Sequence, residues 1–247
     1  MNRSIAQPVR ASVLHTEGRE FESLCSYKIG IGITTFNRPK HLVLCLELIK
    51  KYTPDCYVYV ADDSKERKGI AYRKNECLKV LKDCDYIFLF DDDCFPIKKG
   101  WVDYFIDAYK TSGQHHFIYL KETSTIKQIG QNQSINIFDN CGGCFMFLTK
   151  EVIQKVGGYN PAYGIYGFEH AGYSNRLHVA GLTPLGAYTC PAGAGEYIYS
   201  MDYDFHLPFN KQVKHEPSLK NELHLLADYL KKNKQIYDMD LQIYQPL

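Results

Sequence analysis

The sequence predicts an α/β fold in which a mostly parallel sheet is flanked by helices. In the first half of the chain, three short apolar runs that end in polar residues alternate with segments of helical periodicity. Such alternation is typical of parallel sheets, whose ligands bind at the carboxyl ends of the strands. A chain of 247 residues buries about three quarters of its surface on folding, which is enough for one substantial core.

The first half contains three predicted strands and two predicted helices. The strands run from Ile29 to Thr35, from Tyr57 to Ala61 and from Tyr86 to Phe90. Pro39 begins a helix whose apolar residues recur at spacings of three and four, and a second helix covers Ile70 to Leu81. All three strands end in polar residues, which we expect to meet at one edge of the sheet.

Elements in the second half are shorter and their periodicity is weaker. We predict strands over Phe117 to Leu120, Ile135 to Phe138 and Phe145 to Leu148, and helices over Lys150 to Val156, Glu169 to Ala180 and Ser218 to Lys232. No linker rich in Gly, Ser or Pro divides the chain. One domain over residues 28–247 is therefore expected.

Residues 1–27 show no sustained period and are expected to form a poorly structured extension. The stretch from Ser4 to Tyr27 is similar to what results when a transfer-RNA gene is translated. This similarity predicts that the extension is not native to the protein. It also predicts a phage or bacterial gene, and a phage-encoded chain would act in the host cytoplasm.

Charge and cysteine content restrict the partners and the compartment. The 29 Lys and Arg residues nearly balance the 28 Asp and Glu residues, so the chain has no general basic excess for nucleic acid. Nine cysteines, an odd number, predict free thiols in a reducing compartment. The N-terminal residues lack an apolar signal-peptide core, and the longest apolar run is too short to span a membrane. A cytoplasmic protein without a transmembrane segment is expected.

Three consecutive aspartates, Asp91, Asp92 and Asp93, follow the third predicted strand. On an extended backbone the first and third side chains share a face and the second points away. Crowded carboxylates repel one another unless a cation neutralises them, and oxygen ligands of this kind suit Mg²⁺ or Mn²⁺. The residues alone also fit a polar turn before the next helix.

Four ordered motifs carry a resemblance to a known family. They are IGITTFNRP, YVYVADDS, YIFLFDDDCFP and CGGCFMFLTKEVIQKVGGYNPAYGIYGFEHAGYSNRLHVAGL. Together they resemble a nucleotide-sugar glycosyltransferase of the GT-A fold, close to the family-2 type, with a galactosyltransferase-like Gly-Phe-Glu-His motif. The resemblance covers Lys28 to Leu182. It implies that residues 28–110 bind the nucleotide and that residues 111–247 bind the acceptor and end in a helix.

The resemblance implies a hexosyltransferase-type enzyme that needs Mn²⁺ or Mg²⁺. It would move a sugar from a nucleoside-diphosphate donor, UDP-linked, to an acceptor hydroxyl with inversion. The acceptor classes left open are a glycan, a protein and a hydroxymethylated DNA base. The site residues that the resemblance assigns to the donor are Thr34, Thr35, Phe36, Asn37, Arg38, Asp62, Asp63, Ser64, Arg73, Asn75, Asp91, Asp92, Gly142 and Gly143.

Other assignments concern the metal and the second helix. The resemblance implies metal binding by Asp93 first and Asp91 second, with His206 as a further ligand and His215 in reserve. Family members carry an adjacent Arg-Asn pair in the second helix. The match here is loose, because Lys74 separates Arg73 from Asn75.

The segment YGFEHAGYSNRL is similar to the family motif that supplies the catalytic base. His170 stands where relatives carry a carboxylate, so three possibilities stay open: His170 is the base, Glu169 is the base, or the enzyme retains configuration and needs none. A capping Glu beside a surface His is the alternative without chemistry. Tyr166 and Phe168, together with Tyr163, are candidate acceptor contacts.

Two motifs have competing interpretations. The DDS of the second strand is also typical of an Asx turn. Cys141 and Cys144 match the spacing of a redox pair or half a zinc site, but a strand rather than a helix is predicted after them, and no second CxxC is present.

Two other functions fit the fold class. A nucleotidyltransferase that makes nucleotide sugars would carry a Gly-rich basic loop after the first strand, and TTFNRPKH lacks one. A non-catalytic module that binds sugar or nucleic acid would keep its activity without the aspartates.

Overall fold

The computed structural model describes residues 27–204 and 230–238. Its strands are β1 (Ile29–Thr35), β2 (Tyr57–Asp62), β3 (Tyr86–Asp91), β4 (Cys94–Pro96), β5 (His116–Ile118), β6 (Gln128–Asn132), β7 (Ile135–Phe138), β8 (Phe145–Thr149), β9 (Thr189–Pro191) and β10 (Ile198–Ser200). Its helices are α1 (Pro39–Tyr52), α2 (Ile70–Leu81), α3 (Trp101–Ser112), α4 (Lys150–Val156), α5 (Glu169–Val179) and α6 (residues 230–238).

The central sheet has five strands in the order β2-β1-β3-β8-β5. β1 pairs in parallel with both β2 and β3, which confirms the predicted α/β class, whereas β8 runs antiparallel to β3 and β5. The register places Thr34 opposite Ala61 on one side and Asp91 on the other. The polar carboxyl ends of the three parallel strands therefore lie side by side.

Close packing of α2 against β1 depends on a glycine in the strand. A Cβ built on Gly32 would lie 2.6 Å from the Cβ of Cys77 on α2. The opposite side of the sheet packs against α3, where Phe88 meets Trp101 with ring centroids 4.5 Å apart. Side chains of this size each contribute about 2–3 kcal/mol when fully buried, so these two layers hold the strand ends in place.

The predicted elements agree closely in the first half of the chain and less well in the second. β2 and β3 each run one residue beyond the prediction and include Asp62 and Asp91. The strand predicted over Phe117 to Leu120 is instead His116–Ile118, and α5 ends one residue early. The helix α3, the strand β6 and the three-residue strands β4, β9 and β10 were not predicted. The last three are too short to show periodicity.

Two predicted segments fall largely outside the described residues. The N-terminal extension lies outside them except for Tyr27, and the helix predicted over Ser218 to Lys232 overlaps only the start of α6. Among the helices that the structure describes, none has the length and apolar content required to cross a bilayer.

Candidate functional site

The three aspartates after β3 diverge in burial and in partners. Asp92 is fully buried, and its Oδ2 accepts a 2.5 Å hydrogen bond from the Thr35 hydroxyl. Asp91 and Asp93 keep 19% and 15% of their side-chain surface exposed. We call these residues the acidic tip. The tip presents two carboxylates to the surroundings and uses the third to anchor itself to β1.

Arg38, in the loop after β1, joins that loop to the acidic tip. Its Nη1 donates to Asp93 Oδ2 over 2.8 Å, and its Nη2 contacts Asp92 Oδ1. Burial alone would lower the pKa of this guanidinium, but the charges of Asp93 and Asp92 outweigh burial and raise it. Arg38 therefore stays charged and offsets part of the negative charge.

Lys74 is a buried cation on the other side of the acidic tip. Its Nζ lies 2.9 Å from Asp91 Oδ1 and donates to the carbonyl oxygen of Gly143 over 3.2 Å. Thr34 donates to the same Asp91 oxygen over 2.7 Å. Burial would raise the pKa of Asp91, but Lys74, His170 and the Thr34 hydrogen bond together outweigh burial, and the pKa is lowered. Asp91 is thus held as a carboxylate.

Sequence reasoning missed Lys74 as a site residue. In the sequence motif Lys74 is only the residue that separates Arg73 from Asn75. A usable signal was present, because Lys74 is three residues after Ala71 and four before Leu78, both on the buried face of α2. The side chain must therefore point inward, toward β3.

The structure brings Arg73 and Asn75 to partners other than the acidic tip. Arg73 Nε donates to Asp63 Oδ1 over 2.7 Å, and the backbone nitrogens of Lys68 and Gly69 donate to the same carboxylate. These bonds hold the loop between β2 and α2. Arg73 and Asp63 are both predicted to bind the donor. In this structure their polar atoms form hydrogen bonds within the chain.

Asn75 pairs with the backbone of Tyr159 at both of its amide atoms. The Nδ2 donates to the Tyr159 carbonyl over 2.8 Å, and the Tyr159 nitrogen donates to Oδ1 over 2.7 Å. The side chain thereby fastens α2 to the segment that follows α4. Both ends of the Asn75 amide are paired in this structure, and its predicted donor contact stays a prediction.

The end of β2 forms the Asx turn that the DDS motif also allowed. Asp62 Oδ1 accepts from the backbone nitrogen of Ser64 over 2.8 Å, and the Ser64 hydroxyl accepts from the Asn37 nitrogen over 2.9 Å. The guanidinium of Arg67 lies 4.7 Å from the ring centroid of Phe36. These residues join the ends of β1 and β2 into one rim beside the acidic tip.

The CGGC segment approaches the acidic tip through its backbone. The Asp91 nitrogen donates to the carbonyl of Cys144 over 2.8 Å. A Cβ on Gly143 would lie 2.2 Å from Nδ1 of His170, and one on Gly142 would lie 2.0 Å from the Tyr203 hydroxyl. The predicted need for glycine at these positions thus has a physical cause within the chain: two rings occupy the space. The thiols of the segment are free.

Glu169 and His170 form a buried pair at the start of α5. The ring Nδ1 lies 2.7 Å from Glu169 Oε1, and the two residues are only 2% and 8% exposed. Burial would raise the pKa of Glu169, but His170, a backbone hydrogen bond and Lys74 together outweigh burial, and the pKa is lowered. Glu169 Oε2 and His170 Nε2 have no hydrogen-bond partner among the described residues. The pair therefore contains two buried polar atoms that the described residues leave without a hydrogen bond.

The loop before α5 brings an aromatic residue toward both groups. The pKa of Tyr166 is raised to about 12 by burial and then by the charges of Glu169, Asp202, Asp91 and Asp93. Its hydroxyl therefore lies within electrostatic reach of both the acidic tip and the Glu169 pair. Phe168 adopts a left-handed backbone with φ of 65° directly before the helix. Tyr163, the third aromatic of the loop, is fully buried.

The metal assignment rests on the acidic tip alone within the described residues. No group of three or more His, Cys, Asp or Glu side chains suited to a metal ion occurs in residues 27–204 and 230–238. His206 and His215, the predicted further ligands, lie outside the described residues. Of the predicted ligands, Asp91 and Asp93 are the two that the structure describes.

The chain is similar to known proteins in sequence and in fold. No protein-family model matches the chain. An uncharacterized glycosyltransferase of Acanthamoeba polyphaga mimivirus is 25% identical over 203 residues, which cover 67% of this chain and 79% of the viral protein. A mannosyltransferase of Pyrobaculum calidifontis, solved with GDP-mannose and Mn²⁺, is 11% identical with a TM-score of 0.50, and the match covers 68% of this chain and 56% of that one.

A β1,4-galactosyltransferase 7 of Drosophila, solved with manganese, UDP-galactose and xylobiose, is 17% identical with a TM-score of 0.48 over 80% of this chain and 79% of that one. The fold is that of the GT-A glycosyltransferases. The viral relative that matches in sequence is named as a glycosyltransferase, which agrees with that fold. The predicted fold class is confirmed.

Proposed function

We propose that the chain is a metal-dependent enzyme that transfers a sugar from a nucleoside-diphosphate donor, UDP-linked, to an acceptor hydroxyl with inversion. The observation that carries the proposal is the acidic tip, flanked on one side by Arg38 and on the other by Lys74. The tip lies at the carboxyl ends of parallel strands, where ligands of such sheets bind.

Charge supports a divalent cation at the acidic tip. Burial raises the pKa of Asp92 to about 8, so the charged carboxylates are Asp91 and Asp93, which Arg38 and Lys74 balance. A diphosphate brings at least two more negative charges to the same place. Oxygen ligands that remain partly exposed suit Mn²⁺ or Mg²⁺, and Asp93 and Asp91 would hold the ion. Bound there, the ion would supply Lewis acidity that stabilises the leaving diphosphate.

The chain's own cations complete the donor site. Lys74 keeps Asp91 ionised and fixes its position against the backbone of the CGGC segment. Arg38 forms ion pairs with Asp92 and Asp93 of the acidic tip. Because these groups are positioned before the donor arrives, they need little rearrangement as charge develops on the leaving group.

The Glu169 pair fits the task of a general base. A carboxylate that accepts from Nδ1 places the imidazole proton on Nδ1 and leaves the lone pair on Nε2. An acceptor hydroxyl that donates to Nε2 would transfer its proton there as its oxygen attacks the anomeric carbon opposite the leaving group. Glu169 then stabilises the imidazolium that forms. We assign the base to His170 and the orienting role to Glu169.

Acceptor contacts are proposed for Tyr166 and Phe168, the aromatic residues that precede this pair in the chain. Burial, and after it the charges of Glu169, Asp91 and Asp93 among others, raise the pKa of Tyr166 to about 12. Phe168 presents a partly exposed ring at the start of α5. Aromatic faces pack on the apolar faces of sugars, and this favours a glycan among the acceptor classes that the sequence leaves open. The eight free thiols among the described residues support a reducing, cytoplasmic location.

The proposal is tested by donor hydrolysis. The purified chain is incubated with UDP-, GDP- and dTDP-sugars, with Mn²⁺, with Mg²⁺ and with chelator. We expect release of the nucleoside diphosphate from a UDP-sugar only when a divalent ion is present. Hydrolysis that is unchanged by chelator, or no hydrolysis of any donor, would contradict it.

A further inference from the structure

The helix α6 contacts the loop that enters α5, although the two are far apart in sequence. Asn233 is fully buried, and its Nδ2 lies 2.7 Å from the carbonyl oxygen of Tyr163. The same nitrogen lies 2.8 Å from the Tyr166 carbonyl and 3.0 Å from the Gly167 carbonyl. One side-chain amide therefore serves three backbone carbonyls of the acceptor loop, the name used here for residues 163–168.

The acceptor loop has a backbone that needs such support. Gly164, Gly167 and Phe168 all have positive φ, at 66°, 103° and 65°. A chain that turns in this way cannot pair its carbonyls within a helix or a sheet ladder, and buried carbonyls without a donor are costly. The side-chain amide of Asn233 donates hydrogen bonds to loop carbonyls that no helix or sheet hydrogen bond would satisfy.

A second set of contacts joins the same helix to the same loop. A Cβ on Gly167 would lie 2.8 Å from the Cδ2 of Leu230. The ring of Tyr237 lies 5.6 Å from the ring of Phe168, and its hydroxyl contacts Asn175 on α5. Residues 230, 233 and 237 share one helical face. The lysines of α6 that are exposed are Lys231, Lys232 and Lys234.

We propose that α6 is a positioning element for the acceptor side of the site, with Asn233 as its central positioning residue. This inference rests on the proposed function. By fixing the carbonyls on either side of Tyr166, Asn233 sets where that ring lies and where α5 begins, and hence where Glu169 and His170 point. The donor side is held separately, through Arg38 and Lys74.

The test separates positioning from general stability. The full chain with Asn233→Ala is compared with wild type and with Lys232→Ala, a control on the exposed face. The probe is hydrolysis of the UDP-sugar that wild type cleaves fastest, in which water replaces the acceptor. We expect kcat to fall about tenfold or more in Asn233→Ala, since small misplacements of catalytic groups are costly. The KM for donor and the affinity for UDP with Mn²⁺ should stay within about twofold of wild type.

Hydrogen exchange gives an answer that needs no substrate. Amides of the acceptor loop should exchange faster in Asn233→Ala, whereas those of β1 should not change. Leu230→Ala, at a more exposed position, should show the same pattern more weakly and covers the case in which Asn233→Ala does not fold. Unchanged exchange in the loop overturns the inference, and so does a parallel loss of UDP binding and hydrolysis. If wild type cleaves no donor, the proposed function fails while the exchange result still decides the role of Asn233.

Discussion

Lys74 Nζ lies 2.9 Å from Asp91 Oδ1, and the lysine has no exposed surface. A buried ammonium is costly unless a carboxylate pairs with it, and here the partner is the first residue of the acidic tip. The pair connects α2 to β3 at the point where the donor is proposed to bind. Stability and donor binding should therefore depend on the same contact.

Replacement of this lysine tests that coupling. Lys74→Met leaves Asp91 without its cation, and we expect a loss of about 3 kcal/mol in the free energy of unfolding. Donor affinity should fall as well, because the field at the acidic tip becomes more negative. Urea titration and UDP binding measure the two effects. Lys79→Met, at an exposed position of the same helix, is the control, and equal behaviour of the two variants would contradict the prediction.

Gly143 should tolerate no side chain. In Gly143→Ala the new methyl would meet the ring of His170, whose Nδ1 is 2.2 Å from the Cβ position. The ring must move, so hydrolysis should fall by about a hundredfold. Overpacking should cost about 1–3 kcal/mol of stability. Gly130→Ala is the matched control, because its Cβ would lie 3.7 Å from the nearest atom of Ile137.

The Glu169 pair should act in the chemical step and not in donor binding. His170→Ala is expected to lower kcat by about 10²–10⁴-fold, the usual contribution of a general base. Glu169→Gln should cause a smaller loss, because an amide oxygen still accepts from Nδ1 but no longer stabilises the imidazolium. Both variants should bind UDP with Mn²⁺ like wild type. Near-normal turnover of His170→Ala would remove His170 from the mechanism.

The buried ring of His116 should make the stability of the fold depend on pH, whether or not a ligand is bound. Its ring is fully buried, where Nδ1 donates to the Phe147 carbonyl over 3.0 Å and Nε2 accepts from the Ser174 hydroxyl over 2.9 Å. Burial lowers the pKa from 6.5 to about 4. The unfolded chain therefore binds a proton more readily than the folded one between these values, so stability is complete above pH 6.5 and declines as the pH falls toward 4.

The decline assigned to His116 amounts to about 3 kcal/mol in full, of which about 2 kcal/mol is lost between pH 6.5 and pH 5. Thermal melting of wild type and His116→Gln at pH 7 and pH 5 measures it. Acidic groups whose pKa is lowered, such as Glu169, contribute equally to both proteins, so the difference isolates the imidazole. We expect a smaller loss of melting temperature in the variant. An equal loss in both proteins would show that His116 carries no such effect.

Much of the donor half could be predicted from sequence. Continuous apolar runs such as Tyr86 to Phe90 identify buried parallel strands, and the polar residues after them locate the ligand edge. The pair Glu169 and His170 was found because neighbouring residues at a helix start are visible in the motif. The individual partners were less predictable: Asp63 and Asn75 have residue types suited to a donor, but side-chain direction and local turns decide their contacts.

Contacts across long sequence separations could not be predicted. Asn233 lies 66 residues from Gly167, and nothing in a single sequence indicates that its amide serves that carbonyl. Lys74 is an intermediate case. Its helical position indicates burial, but only the packing of α2 against β3 identifies Asp91 as its partner.

The central claim is that the acidic tip holds a divalent cation that engages a diphosphate. Calorimetric titration of UDP and GDP into the chain, with and without Mn²⁺, tests it most directly in wild type and in Asp93→Asn. We predict that Mn²⁺ tightens the binding of at least one nucleotide by about tenfold or more in wild type and has no effect in the variant. Equal affinity with and without Mn²⁺, or the same enhancement in Asp93→Asn, would contradict the claim.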